Sequence, residues 1–326
     1  MRPYLKKSLQ VVASAALLAT LGLLVNWPDV LRSIAAANPI WLALAAFAIL
    51  LARCAITWRW KALLDFSDNR ISWQRLFGIV SAGIGVGSLL PTSVGPDVMR
   101  GAMLAQQNRR IAGQARVGNV VTSLLLDRIV SVFATLLVAL GATTATSLWQ
   151  IAIPLAGVLT AGLSVIAFVL LKGQSTLERN NPSWLRPIAM RLSEALLQIN
   201  RPEFVWRALL PSLMASILMT LARTMVFIFL YRALGYAVPL SHALVLIPLL
   251  MIALIFPFSV GGLGVREWVL IVGFEGIGIP PEASISVGLM SFGLQFLVST
   301  PWFVTFALRR DTRASAQAAI VEAELP

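Results

Sequence analysis

Long apolar stretches alternate with short basic ones along this chain. Six apolar stretches approach or exceed the roughly 20 residues that cross a bilayer as helix. They run over about 8–25, 39–57, 117–141, 148–171, 208–230 and 283–308. Two further apolar runs, Leu76 to Leu90 and Ala243 to Phe256, are shorter. Runs of that length read as re-entrant or broken helices rather than full spans. The pattern predicts an all-α polytopic membrane protein with eight hydrophobic segments: about six full spans plus two re-entrant, broken-helix hairpins.

Each short run leads into the same motif, P-x-S-V-G-x-x-x-x-R. The first copy runs from Pro91 through Ser93, Gly95 and Asp97 to Arg100, and the second from Pro257 through Ser259, Gly261 and Gly262 to Arg266. Proline, serine and glycine interrupt helix in apolar surroundings, which is tolerated at membrane depth only where protein or a cavity receives the freed backbone. Matching breaks in two halves of a membrane protein point to a binding site where the halves meet. A chance likeness between two loops is the alternative, and further matches argue against it. Leu51-Ala52-Arg53 matches Leu221-Ala222-Arg223, and Lys61-Ala62-Leu63 matches Arg232-Ala233-Leu234. Two spans lie between the matched spans, so the halves, about 39–141 and 208–308, form an inverted-topology repeat within one membrane domain covering 1–326.

Charge orients the chain. Of the 26 Lys and Arg residues, 19 fall before span 1, in alternate loops (58–75, 106–116 and 172–207) and in the tail; Arg32 and Arg232 fall on the opposite side. The positive-inside rule then places both termini and the 172–207 loop in the cytoplasm. Residues 267–282, with Glu267, Glu275 and Glu282 and no Lys or Arg, face outside. Within 172–207, Leu185, Ala189, Leu192, Leu196 and Ile199 recur at helical spacing. That segment reads equally as an interfacial amphipathic helix or as a helix packed on the protein's own loops.

Composition narrows the function classes. The chain is 58% hydrophobic and 12% charged, so its net charge of +12 follows from loop topology and gives no reason to invoke nucleic acid. A single cysteine and a single histidine leave no disulfide framework and no His/Cys metal cluster. No cofactor motif is present, and the expectation is a non-enzyme. The apolar stretch 8–25 lacks a small-x-small exit and reads as a retained first span. The expected location is the plasma membrane of a bacterium.

The informative residues are the charges inside the membrane segments: Arg53, Arg100, Arg128, Arg223 and Arg266 against Asp97, Asp127 and Glu267. Each costs about 2.5–3.5 kcal/mol at mid-bilayer, so it must be paired, hydrated or functional. The surplus of two positive charges matches a phosphate dianion. Arginine's planar fork suits phosphate, and half-helix N-termini after Ser-Val-Gly offer backbone donors. Pro96 fits the first turn of such a half-helix. Asp97 and Arg100, three apart, share a face. Asp127 and Arg128 are neighbours and should find partners on other helices. The alternative is that these charges only lock helices together; for Arg53 the expectation is a side chain snorkelling to the interface. The candidate substrate-binding set is Ser93, Gly95, Asp97, Arg100, Asp127, Arg128, Arg223, Ser259, Gly261, Gly262, Arg266 and Glu267.

At these residues the chain resembles the lysylphosphatidylglycerol synthase transmembrane-region family of flippase-like membrane proteins. The carrying elements are Leu90-Pro91 through Asp97-Val98-Met99-Arg100, Leu126-Asp127-Arg128, and Pro257 through Gly261-Gly262-Leu263-Gly264-Val265-Arg266-Glu267. The first departs from the commoner Gly-Gly-Asp or Gly-Glu form by placing Pro96 before Asp97. In relatives fused to a cytosolic aminoacyl-transferase domain, this region is associated with moving aminoacylated phosphatidylglycerol between leaflets. Only 18 residues follow span 6, so the expectation is a stand-alone member without lipid aminoacylation of its own. The resemblance implies a lipid-handling module whose cargo is a phospholipid, a polyprenyl-phosphate-linked sugar or a terpenoid lipid. Two functions of different class follow: a translocase for an anionic lipid headgroup held between the two motifs, or a non-transporting partner subunit of a lipid- or glycan-modifying enzyme.

Overall fold

A computed structural model of the chain describes residues 27–66, 71–88, 95–112, 114–144, 153–154, 156–158, 160–162, 201–255 and 264–323. The predicted span 1, two thirds of span 4 and residues 172–200 lie outside these. So do Ser93, Ser259, Gly261 and Gly262 of the two motifs.

The described chain is helical. In order it forms α1 (Trp27–Ala35), α2 (Pro39–Phe66), α3 (Trp73–Ser88), α4 (Gly95–Ala112) and α5 (Gln114–Thr143). After the segment around 153–162 come α6 (Pro202–Ala233), α7 (Leu240–Ala253), α8 (Val265–Glu275) and α9 (Pro281–Ala323). Among the described residues four helical stretches are long and apolar enough to cross a membrane: Pro39–Phe66, Val120–Thr143, Pro202–Ala233 and Pro281–Thr305. They correspond to the predicted spans 2, 3, 5 and 6.

The span ends differ from the sequence reading. Span 2 was expected to end at 57, yet α2 runs to Phe66. Ile56, Trp60, Leu63 and Leu64 continue its buried face, so tertiary packing carries the helix past its first basic residues. Arg59 therefore lies in a helix, where a cytoplasmic loop was expected. Likewise the last residues of the 172–207 loop already belong to α6. There, Leu210 N–H bonds to Val205 O in a π-helical turn just before Pro211, which has no N–H to give.

α2 and α6 form the centre. They are antiparallel: Asn38 N–H donates to Ala233 O at one end, and Ser212 Oγ donates to Arg59 O at the other. One apolar cluster joins their 38–50 and 226–233 ends to α7, α8 and α9 through residues such as Ile49, Leu230, Leu250, Phe274 and Val287. A second joins the opposite ends to α3, α4 and α5 through Trp60, Leu76, Val80, Met103 and Met219. Ser216, Thr220 and Thr224 each donate to the carbonyl one turn back, so these buried hydroxyls on α6 are satisfied within the helix.

The two short-run segments pack as helix pairs, α3 against α4 and α7 against α8. α3 and α4 approach closely because α3 carries glycine at the contact. A Cβ built at Gly87 would stand 2.3 Å from the backbone of Pro96. Arg53 does not snorkel. It is buried and crosses to α9, donating to Gln295 O at 2.8 Å, Val298 O at 3.2 Å and Ser299 Oγ at 2.7 Å.

Candidate functional site: an arginine-lined cavity

The helices enclose a cavity of about 210 Å³. Five guanidinium-bearing residues line it: Arg59 from α2, Arg100 from α4, Arg128 from α5, Arg223 from α6 and Arg266 from α8. Among the described residues, Asp97 is the one acidic residue in its wall. Both half-helices begin at the cavity, α4 with Pro96 and Asp97 and α8 with Arg266. Each helix N-terminus turns positive backbone dipole toward this space.

Two carboxylates organise three of the arginines. Asp127 is fully buried on α5 and accepts from Arg59 Nε at 2.5 Å and Nη2 at 2.9 Å. Its second oxygen also accepts from Arg100. Asp97 pairs with Arg100 at 2.9 Å, as the i,i+3 spacing predicts, and with Arg128 on α5. The adjacent residues Asp127 and Arg128 thus do find partners on other helices. The Arg100 guanidinium also lies 4.8 Å from the ring centre of Trp60, whose Nε1 donates to Ser123 Oγ. This chain of pairs ties α2, α4 and α5 into one block.

Arg223 and Arg266 stand apart. Neither forms an ion pair among the described residues. Arg223 lies within electrostatic range of Arg59, Arg128, Asp97 and Arg266. Arg266 makes a long contact to Gly288 O at 3.5 Å and faces the Phe292 ring at 5.7 Å. Both also line an adjoining cavity of about 80 Å³, together with Arg53, Ser291, Gln295 and apolar side chains such as Ile49, Ala52, Val226 and Phe227.

Glu267, adjacent to Arg266 in sequence, has a different role. Its Oε2 accepts the Gly264 N–H at 2.7 Å and caps α8. Gly264 sits at φ 85, a conformation that glycine adopts without strain. Glu267 Oε1 is buried, without a hydrogen-bond partner among the described residues, and packs over Gly288, where a Cβ would meet it at 2.7 Å.

Of the candidate set, Asp97, Arg100, Asp127, Arg128, Arg223 and Arg266 are therefore brought together. Gly95 opens α4 and is buried. Arg59 was missed, having been counted among the loop cations. The signal was its place one residue before Trp60 on the face that Ile56 and Leu63 continue. With Arg59 included, six buried or cavity-lining arginines face three carboxylates, so the surplus is three charges where the sequence reading had two.

Four helices fit to cross a membrane identify a membrane protein. No curated protein matches the chain. The family model for the lysylphosphatidylglycerol synthase transmembrane region matches residues 8–302, nearly the whole chain, and the chain belongs to that family of lipid-related membrane proteins.

Proposed function

We propose that this protein is a lipid translocase that carries an anionic headgroup between leaflets, acting without chemical conversion of the lipid. The observation that carries the reading is the pair Arg223 and Arg266. They are intramembrane guanidiniums with no carboxylate partner among the described residues, and they line both cavities. A cation within a membrane segment that neither a carboxylate nor a set of carbonyls holds is costly, and this supports a ligand or ion path. The sequence reading weighted Arg100 and Arg266 equally as headgroup contacts. The pairing of Arg100 with Asp97 and Asp127 moves that role to Arg223.

The rest of the reading follows from the helices. α3 has 16 residues and α7 has 14, about 24 Å and 21 Å long, short of a hydrocarbon core of about 30 Å. α3–α4 and α7–α8 are then re-entrant hairpins. With α2 antiparallel to α6, they form the two halves of an inverted repeat that rocks about the cavity to alternate access. Both termini face the cytoplasm and α8 lies toward the outer side of the plasma membrane.

The test is translocation of labelled anionic and zwitterionic phospholipids in proteoliposomes, with the lipids that co-purify identified by mass spectrometry. Faster movement and enrichment of anionic lipids are expected. Arg223→Gln and Arg266→Gln should each abolish most of that movement. Folded protein that enriches no anionic lipid and moves none would remove the proposal. A partner subunit of a lipid-modifying enzyme would give that result.

A further inference from the structure

The charge arrangement bears on which anion the cavity takes, given the headgroup reading above. Asp127 is occupied by Arg59 and Arg100, and Asp97 by Arg100 and Arg128. Glu267 is turned to the N-terminus of its own helix. Neither Arg223 nor Arg266 forms an ion pair with a carboxylate among the described residues, Asp97 and Glu267 acting on them only at longer range, and both line the same two cavities. One negative charge would satisfy one guanidinium and leave the other within the membrane segment without an ion-pair partner, which is the costly state. Two negative charges on one small group satisfy both.

We infer that Arg223 and Arg266 together seat a doubly charged phosphate group, a lipid phosphomonoester or diphosphate, in preference to a singly charged phosphodiester. The cavities fit this assignment. The charged one, about 210 Å³, is smaller than the roughly 300 Å³ at which small-molecule sites begin, so it holds a headgroup and not a whole lipid. The smaller one is lined by Arg53 beside the same two arginines and by apolar side chains of α2, α6 and α7, along which the first carbons of the chain lie. An inorganic anion has no use for that second space, and a lipid does.

The experiment compares three probes on purified full-length protein in detergent: phosphatidic acid, phosphatidylglycerol with the same acyl chains, and inorganic phosphate, at a pH of about 8. At this pH a phosphomonoester carries nearly two charges, because its second pKa is about 6. One further charge-assisted contact makes phosphatidic acid bind about 10- to 150-fold more tightly than phosphatidylglycerol. In Arg223→Gln that ratio falls toward one. Arg223→Lys keeps much of the ratio at lower affinity and serves as the variant that preserves the charge. Equal affinity for the two lipids in the wild type overturns the dianion seat and leaves the anionic-headgroup reading standing. Binding of neither lipid removes both. Inorganic phosphate binding as tightly as phosphatidic acid keeps the dianion seat and removes the lipid cargo.

Discussion

Asp127→Asn tests whether the carboxylate network holds the helices together. Asp127 has no exposed surface and neutralises two arginines from two other helices. The amide removes the negative charge while keeping the shape. Arg100 retains Asp97 at 2.9 Å, but the other side-chain contact of Arg59 among the described residues is to Met219 Sδ at 3.3 Å. Removing one partner from a buried pair costs about 3–5 kcal/mol, because the other charge is left uncompensated. That corresponds to about a 150- to 5,000-fold fall in the folded-to-unfolded ratio. The assay is equilibrium unfolding in mild detergent, followed by far-ultraviolet circular dichroism and by tryptophan emission. Trp60 reports locally, since it stacks on Arg100 and bonds to Ser123. Adding Arg59→Met to Asp127→Asn should recover part of the loss, because an apolar side chain beside Met219 replaces the stranded cation. An Asp127→Asn protein within about 0.5 kcal/mol of wild type, the ordinary range for a substitution away from any such feature, would refute the structural role. It would return Asp127 to the ligand site.

Two further outcomes check the packing and the orientation. Gly87→Ala places a Cβ 2.3 Å from the Pro96 backbone and should force α3 from α4 and reduce folded yield; Gly141→Ala, with nothing within 4 Å, should be neutral or stabilise its helix by up to about 1 kcal/mol. A cysteine in place of the exposed Glu275 should be labelled by an impermeant thiol reagent from outside intact cells, and labelling from the cytoplasmic side alone would rule out the proposed orientation.

What the sequence revealed, and what it hid, follows the range of the interactions. The four described spans were legible because bilayer insertion depends on local composition, which a hydropathy pattern reads directly. The Asp97–Arg100 pair was legible because three residues along a helix is a fixed geometry. Arg59 was not, because its meaning depends on Asp127, 68 residues away. A lone arginine after an apolar run looks the same whether it anchors a helix end in the headgroups or turns inward to a buried carboxylate. Arg53 misled for the same reason. Its partners are carbonyls of α9 more than 240 residues on, and carbonyl acceptors leave no trace in sequence.

The arginines at matching positions of the two sequence copies are not used alike. Arg53 corresponds to Arg223, and Arg100 to Arg266. Both first-half members are committed to structure: Arg53 to the carbonyls and Ser299 of α9, Arg100 to Asp97 and Asp127. All four line the cavities, Arg53 the smaller, Arg100 the larger, and Arg223 and Arg266 both. The difference lies in the helix that follows each motif. α5 brings Asp127 to Arg100, whereas α9 brings Arg266 a carbonyl at 3.5 Å and an aromatic ring. Asp97 and Asp127 compensate Arg100, while Arg266 has no ion pair among the described residues, and this displaces the field of the larger cavity toward α6 and α8. Under the proposed function, an anion entering between the halves is drawn to one side of the α2–α6 axis. A chain with a second aspartate on α9 opposite Arg266 would have two locked halves and no seat. Among the described residues, Arg100 has ion-paired carboxylates and Arg266 has none, and that difference separates the proposed headgroup contact from the scaffold.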